Sequence, residues 1–355
     1  MLFLERIKQF KMKKYFYVFA LVAFALASCE KNEIEKTFNS NDVKFAGLRV
    51  NLPSNYNESV LSLSLSDLQN LFYTNSSGGI MRAKSSEFAG VTLEELNQIT
   101  QMILTKYPRL DSLTLDEIEK IRVNFPDLSL DNIVENINVI DSFYTSLVRY
   151  DLMLELTEVE LSFNTKALKV SSSGDYKKLN SEEFWYLFWR PSLIDPISEA
   201  KERAVELTND LIESEEEFHG MNASQDKADG FRHAMWNVLI CKYVGESKSK
   251  ISDCTEIADE FTTKHETGAT QSIGLTNEQW ELDKCMDLHN NAQGRKYFES
   301  VATVIKVGLF KVNRVSAPSE DIIVEAITEN AKFANKINIP SDADEYPNNL
   351  VYIKD

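Results

Sequence analysis

Ser224-Gln-Asp-Lys-Ala-Asp229-Gly-Phe-Arg-His233-Ala-Met-Trp236-Asn237-Val-Leu-Ile-Cys-Lys-Tyr243 carries two patterns at once. Phe231, Met235, Leu239 and Tyr243 recur at every fourth position, the spacing of one helix face. Asp229, His233 and Asn237 recur at the same interval on a second stripe, with Asp226 one turn earlier. A helix with an apolar row and a polar stripe that includes histidine has two faces to satisfy. A carboxylate one turn before an imidazole can fix its tautomer and stabilise its protonated form, as metal ligands and general bases require. Bare propensity would explain such a pair only as a weak surface contact, and the flanking Phe231 and Trp236 argue for burial. Arg232 and Trp236 share the same interval and could stack guanidinium on indole.

Two further polar blocks follow. Residues 249–266 read as a helix whose inward face is Ile251, Cys254, Ala258, Phe261 and His265, with Glu266 on the neighbouring face and Gly268 as the stop. Thr276 and Gln279 then form a capping-box pattern and open a third helix. It runs through Met286-Asp287-Leu-His289-Asn290-Asn291 to Gly294-Arg295, with Asp287, Asn291 and Arg295 on one stripe. Two adjacent asparagines are poor helix formers, and a sequence tolerates them more readily when their amides are bonded in a buried network or to a ligand. All four histidines and all four tryptophans fall between Trp185 and His289, so the chemistry is concentrated there.

Outward from this centre the chain reads as all-α. Thr92 with Glu95 and Thr114 with Glu117 make cap patterns, each leading into helical apolar spacing. A long segment from Ser129 to about Ser162 places Ile133, Ile137, Ile140, Phe143, Leu147 and Leu152 near one face. Residues 43–170 therefore form an expected N-terminal helical bundle with no visible chemistry. Ser171-Ser-Ser-Gly-Asp175 is the best internal boundary, and residues 176–355 form the expected C-terminal helical domain with the polar His/Asp/Asn cluster. Phe184-Trp-Tyr-Leu-Phe-Trp189 is read as a core or interdomain contact.

The N-terminus is read as targeting. Met12-Lys-Lys14 and the apolar run Tyr15–Ala27 are too short to cross a bilayer, which takes about 20 residues, and they suit a signal peptide. The run ends Leu26-Ala-Ser-Cys29, which resembles the lipobox of bacterial lipoproteins. The resemblance implies a signal peptide over 1–28, acylation of Cys29 and a tether over 29–42. The expected place is the cell envelope, with the lipid on Cys29 as the membrane partner. Setting residues 1–28 aside leaves 33 basic against 54 acidic residues, a net of −21, which argues against nucleic acid or an anionic lipid surface as a partner. Beyond Cys29 there are Cys241, Cys254 and Cys285, enough for one disulfide at most; a Cys241–Cys254 bridge and buried free thiols both fit.

The three blocks together resemble a bacterial domain family of unknown function, helical and found in secreted or toxin-like proteins. Its members carry D-A-F-R-H-A-x-W-N, then H-E, then M-D-x-x-N-N-x-x-G-R. The likeness covers roughly residues 180–340, and the chain departs at Gly230, where the family has alanine. It implies a helical fold and supplies no activity. The order His233, His265-Glu266, Asp287 is also loosely similar to the ligand order of HD-type metal phosphohydrolases, with Glu266 in place of an Asp.

On this reading His233, His265, Asp229, Glu266 and Asp287 are the catalytic candidates, and Asn237, Asn290, Asn291, Arg295 and Arg232 the substrate-binding ones. A divalent metal is the one cofactor the pattern invites, with His233, His265 and Asp287 as its candidate ligands. A hydrolase acting on a small-molecule or envelope substrate is expected, metal-assisted or with a histidine acid/base pair. The alternatives are a non-catalytic lipoprotein whose polar cluster is a hydrogen-bond network, and a toxin-like effector domain.

Overall fold

A computed structural model of the chain describes residues 43–75, 91–110, 113–165, 178–271, 274–307 and 312–354. The signal segment, Cys29, the 29–42 tether and Ser171–Asp175 lie outside the described residues. The architecture is mostly helical with little strand, as the sequence leads one to expect.

A short antiparallel pair, β1 (Val43–Phe45) and β2 (Leu48–Val50), precedes α1 (Leu65–Asn75) and α2 (Leu93–Leu104). Thr92 caps α2 with a full reciprocal box to Glu95. At α3 (Leu115–Asn124) the Thr114 hydroxyl accepts from the Glu117 N–H, while the Glu117 carboxylate turns instead to the Arg109 N–H. The long segment after Ser129 divides into α4 (Leu130–Glu135) and α5 (Ile137–Thr165) at Asn136, whose side chain donates to the Asn132 carbonyl at 2.8 Å. Such a local bond competes with helix continuation. Ile133, Ile140, Phe143, Leu147 and Leu152 are all buried.

Then come α6 (Ser181–Trp189), α7 (Ile194–Ser214), α8 (Lys227–Gly245), α9 (Ile251–Gly268) and α10 (Asn277–Val301). Phe184, Trp185, Tyr186, Leu187 and Phe188 of α6 are buried, and Phe184 and Trp185 pack against Phe72 of α1. Aromatic residues from both sides of residues 166–177 thus share one hydrophobic cluster, and Val43–Asp355 form one compact unit. The chain closes with a β-hairpin, β3 (Thr303–Val307) and β4 (Val312–Ser316), then α11 (Glu320–Lys332) and a two-residue parallel pair, β5 (Asn335–Lys336) and β6 (Val351–Tyr352). The hairpin arises where Val301-Ala-Thr-Val-Ile-Lys-Val307 replaces helical spacing with β-branched alternation.

The helix α8 is the centre of the C-terminal half, packing against α7, α9, α10 and α11. It is buried on nearly every side, which is why a helix so rich in Phe, Met, Trp, Leu and Ile can also carry a polar stripe. Gly294 of α10 sets how closely α10 and α8 approach: a Cβ there would stand 2.2 Å from the Ala234 carbonyl oxygen. That contact brings the stripes of the two helices face to face.

Candidate functional site

The loop into α8 is held under local strain. Ala223 and Gln225 both take positive φ (51° and 66°), an uncommon conformation for residues with a Cβ. Five hydrogen bonds hold it. Asp226 caps α8 by accepting from the Asp229 N–H at 3.0 Å, and its other oxygen accepts from the Asn222 N–H at 3.0 Å. The Asp229 carboxylate accepts from the Gln225 N–H at 2.6 Å. The Gln225 carbonyl accepts from the Ile353 and Lys354 N–H groups, both at 2.8 Å. Asp229 is thereby fixed before its side chain reaches the imidazole.

His233 is the hub. Its Nε2 lies 3.2 Å from Asp287 Oδ1 and 3.5 Å from Asp229 Oδ1. Its Nδ1 lies 3.3 Å from Asn291 Oδ1 and 3.5 Å from Glu266 Oε1. Asn291 in turn donates to Glu266 Oε1 at 3.2 Å. Asp229 and Asp287 therefore converge on one edge of the buried His233 ring, and Glu266 and Asn291 on the other. Arg232 reaches the same place: its Nη2 is 2.5 Å from Asp229 Oδ1 and 3.3 Å from His233 Nε2, and its Nη1 donates to the Ala223 carbonyl at 3.0 Å.

Burial controls the charges here. It pushes the Asp229 carboxyl up to about 6, against the pull of the Arg232 guanidinium. It pushes Asp287 well above the usual carboxylate range, helped by the neighbouring Glu266, Asp229 and Asp283. Glu266 rises for the same reason, with His265 pulling it back. The His233 imidazole is pushed well down by burial and by Arg232, so the neutral ring is favoured.

His265 stands beside this hub with a different partner. Its Nδ1 bonds to Glu183 Oε1 at 2.7 Å, while the other Glu183 oxygen accepts from the Asn180 N–H at 2.7 Å and so caps α6. Asn180 Nδ2 donates to the Lys264 carbonyl at 2.9 Å, tying the start of α6 to the end of α9. Gly268 admits this contact, since a Cβ there would come within 2.5 Å of the Asn180 amide. The Trp236 ring packs edge-on against His265 with centroids 5.2 Å apart, rather than stacking on Arg232. Burial lowers the His265 imidazole, but its bond to Glu183 and the Glu183 charge outweigh that and the net shift is upward. Glu183 is buried, whereas His265 keeps 31% of its side chain exposed. Nearby Lys201 of α7 is lowered by burial and by Arg232, with Glu183 pulling the other way.

The remaining polar residues of the three blocks turn to one another or to backbone. Asn237 donates to Asn291 Oδ1 at 2.7 Å and to the His233 carbonyl at 3.1 Å, and accepts from Arg295 Nη1 at 2.8 Å. Arg295 also pairs with Asp259 at 2.6 Å. Asn290 is clamped to β6, donating to the Val351 carbonyl and accepting from its N–H, both at 2.9 Å. His289 meets the Asn349 carbonyl at 2.9 Å, away from the hub. Cys241 and Cys254 are free and buried, with the Cys241 thiol 3.6 Å from the Cys254 carbonyl.

Glu183, Lys201 and Thr262 belong to this neighbourhood without having been singled out in the sequence. The Asn180–Glu183 capping spacing was available as a signal for Glu183, but a cap does not reveal which way its second oxygen faces.

No curated protein and no solved structure matches the chain. Residues 184–332, which include Asp229, His233, His265, Glu266, Asp287 and Asn291 but not Glu183, match the model of a family described as a domain of unknown function (DUF6973), and the chain is similar to that uncharacterised family over this span.

Proposed function

We propose that the chain is a lipoprotein anchored through Cys29 in the cell envelope, and that its C-terminal helical domain is a hydrolase using the His/Asp/Glu cluster to activate water. One observation carries the catalytic reading: a single buried imidazole, His233, has Asp229 and Asp287 at one nitrogen and Glu266 with Asn291 at the other. Folding four ionisable groups into so little space has a cost that a merely structural network does not need to meet. The His265–Glu183 pair supplies a second proton-transfer group, with Nδ1 fixed by the carboxylate and the ring partly open to solvent. Arg295 is held by Asp259 and Asn237. Arg232, although paired with Asp229, is 36% exposed and stands at the hub, so it is the cation placed to meet an anionic substrate group there.

No helix among the described residues is long and apolar enough to cross a membrane. In this reading attachment rests on the acyl group proposed for Cys29. The catalytic reading is tested by incubating the full chain, purified in detergent, with phosphomonoester, phosphodiester and carboxylester substrates. His233→Asn and His265→Asn are expected to lower turnover by about 100-fold or more. Equal turnover in both variants would sink it.

A second reading has its own support. Asn237 joins Asn291, Arg295 and Thr262 in one hydrogen-bonded network, as a purely rigidifying cluster would. Under that reading the same variants lower the melting temperature and no substrate is turned over.

A further inference from the structure

Two carboxylate oxygens and one imidazole nitrogen, from Asp229, Asp287 and His233, lie within 4.8 Å of one another. Two closely packed helices supply them: Asp229 and His233 are one turn apart on α8, and Asp287 is presented by α10 across the Gly294 contact. Donors held about 2.0–2.2 Å from a cation stand roughly 3.0–3.6 Å apart when they occupy neighbouring corners of an octahedron or tetrahedron. The distances from His233 Nε2, 3.2 Å to Asp287 and 3.5 Å to Asp229, fall in that range.

The electrostatics ask for a positive charge at this point. Asp229 Oδ1 and Asp287 Oδ1 are both fully buried, and neither accepts a hydrogen bond of sound geometry. Both face the same ring nitrogen. On the far side, Nδ1 is placed to donate to Asn291 Oδ1, with Glu266 Oε1 close by. That bond fixes the tautomer in which Nε2 carries a lone pair, the form a metal-binding histidine takes. A lone pair facing two carboxylate oxygens is balanced by a proton or by a cation between them, and a cation can engage all three donors at once. Arg232 Nη2 now answers part of that need, at 2.5 Å from Asp229 Oδ1 and 3.3 Å from Nε2. Its side chain is 36% exposed, so it can swing outward.

We propose that Asp229, His233 and Asp287 bind one divalent first-row cation, Zn2+ or Mn2+, which displaces the Arg232 guanidinium from between them. One imidazole and two carboxylates form a mixed nitrogen and oxygen set that suits these ions. The ligand trio differs from the one expected from sequence in one place: Asp229 takes the role given to His265, whose Nδ1 is held by Glu183. The proposal deepens the hydrolase reading by placing a Lewis acid at its hub, but binding can be measured with no substrate at all.

The test is calorimetric titration of the full chain, purified in detergent and stripped with chelator, with ZnCl2 and MnCl2. The wild type is expected to bind one equivalent with micromolar affinity or tighter. Asp287→Asn and Asp229→Asn should each weaken binding at least about 10-fold, and Arg232→Ala should tighten it. Electron spin-echo spectra of the Mn2+-loaded wild type should show coupling to one imidazole nitrogen. No binding by the wild type, unchanged affinity in Asp287→Asn, no tightening in Arg232→Ala, or no nitrogen coupling would each overturn the proposal. If the aspartate variants do not fold, the wild-type spectrum and Arg232→Ala still decide. Binding without any hydrolysis would leave this site standing and remove the catalytic reading alone.

Discussion

Glu183 Oε1 and His265 Nδ1 are 2.7 Å apart, although 82 residues separate them in the chain. One carboxylate caps α6 with one oxygen and orients an imidazole at the end of α9 with the other. The pair thus joins a structural task to a chemical one.

Its pH dependence has a definite sign. The His265 imidazole titrates near 6.5 in an unfolded chain and higher in the folded one, so the native state binds more protons between the two values. The stability this pair contributes is present in full below pH 6.5 and is lost as pH rises through the folded-state value. The melting temperature of wild type should therefore exceed that of Glu183→Gln by most at low pH, with the gap narrowing as pH rises. In the same variant the His265 resonances should titrate at lower pH than in wild type. A gap that is constant with pH would show that Glu183 acts only as a cap.

Asn237 is fully buried and uses its amide in both directions. It donates to the His233 carbonyl and Asn291 Oδ1 and accepts from Arg295 Nη1 at 2.8 Å and Thr262 Oγ1 at 3.3 Å. Asn237→Ala strands these partners in a dry interior, which costs about 1–3 kcal/mol for each buried group left unbonded. Urea unfolding should show a loss of at least about 1 kcal/mol. The variant should keep metal stoichiometry, because Asn237 offers no donor to the Asp229–His233–Asp287 point. Wild-type stability in this variant would mean that Asn237 does not hold these partners together.

How much of this was legible in the sequence depends on distance along the chain. The stripe Asp229, His233, Asn237 and the caps at Thr92, Thr114 and Thr276 follow from intervals of three and four residues, and local intervals survive folding. Asn290 and Asn291 show where that logic stops. They are adjacent and equally buried, yet about 100° of helical turn sends one to the β6 backbone and the other to the hub. Which neighbour waits on each side is set by β6, more than 50 residues later. The same holds for His265: its spacing placed it on the inward face, but only the packing of α6 against α9 shows that Glu183 reaches it before Glu266 does. The β3–β4 hairpin was readable from its β-branched alternation and was overshadowed by the helical signal upstream.

The proposed anchor makes a prediction independent of the site. Cys29→Ser should move the protein from the detergent phase to the aqueous phase on phase partition, and should abolish labelling by radioactive palmitate. Retention in the detergent phase would point to attachment by another route.

Two glycines on the site helices should respond to the same substitution with different magnitudes. At Gly294 an added Cβ meets backbone, 2.2 Å from the Ala234 carbonyl oxygen, and neither α8 nor α10 can yield without parting the stripes. Gly294→Ala should cost about 1–3 kcal/mol or more by overpacking and should weaken Zn2+ or Mn2+ binding as Asp287 withdraws from His233. At Gly230 the nearest atoms are the Val351 carbonyl oxygen at 3.1 Å and the Asn290 amide at 3.2 Å. Those belong to a short terminal strand and a side chain, which can give by a few tenths of an ångström. Gly230→Ala also gains up to about 1 kcal/mol of helix propensity in α8, and alanine is the residue the resembling family carries there. Chemical denaturation of the two variants should therefore show a large loss for Gly294→Ala and a small change for Gly230→Ala. Equal losses would mean that β6 is held as rigidly against α8 as α10 is.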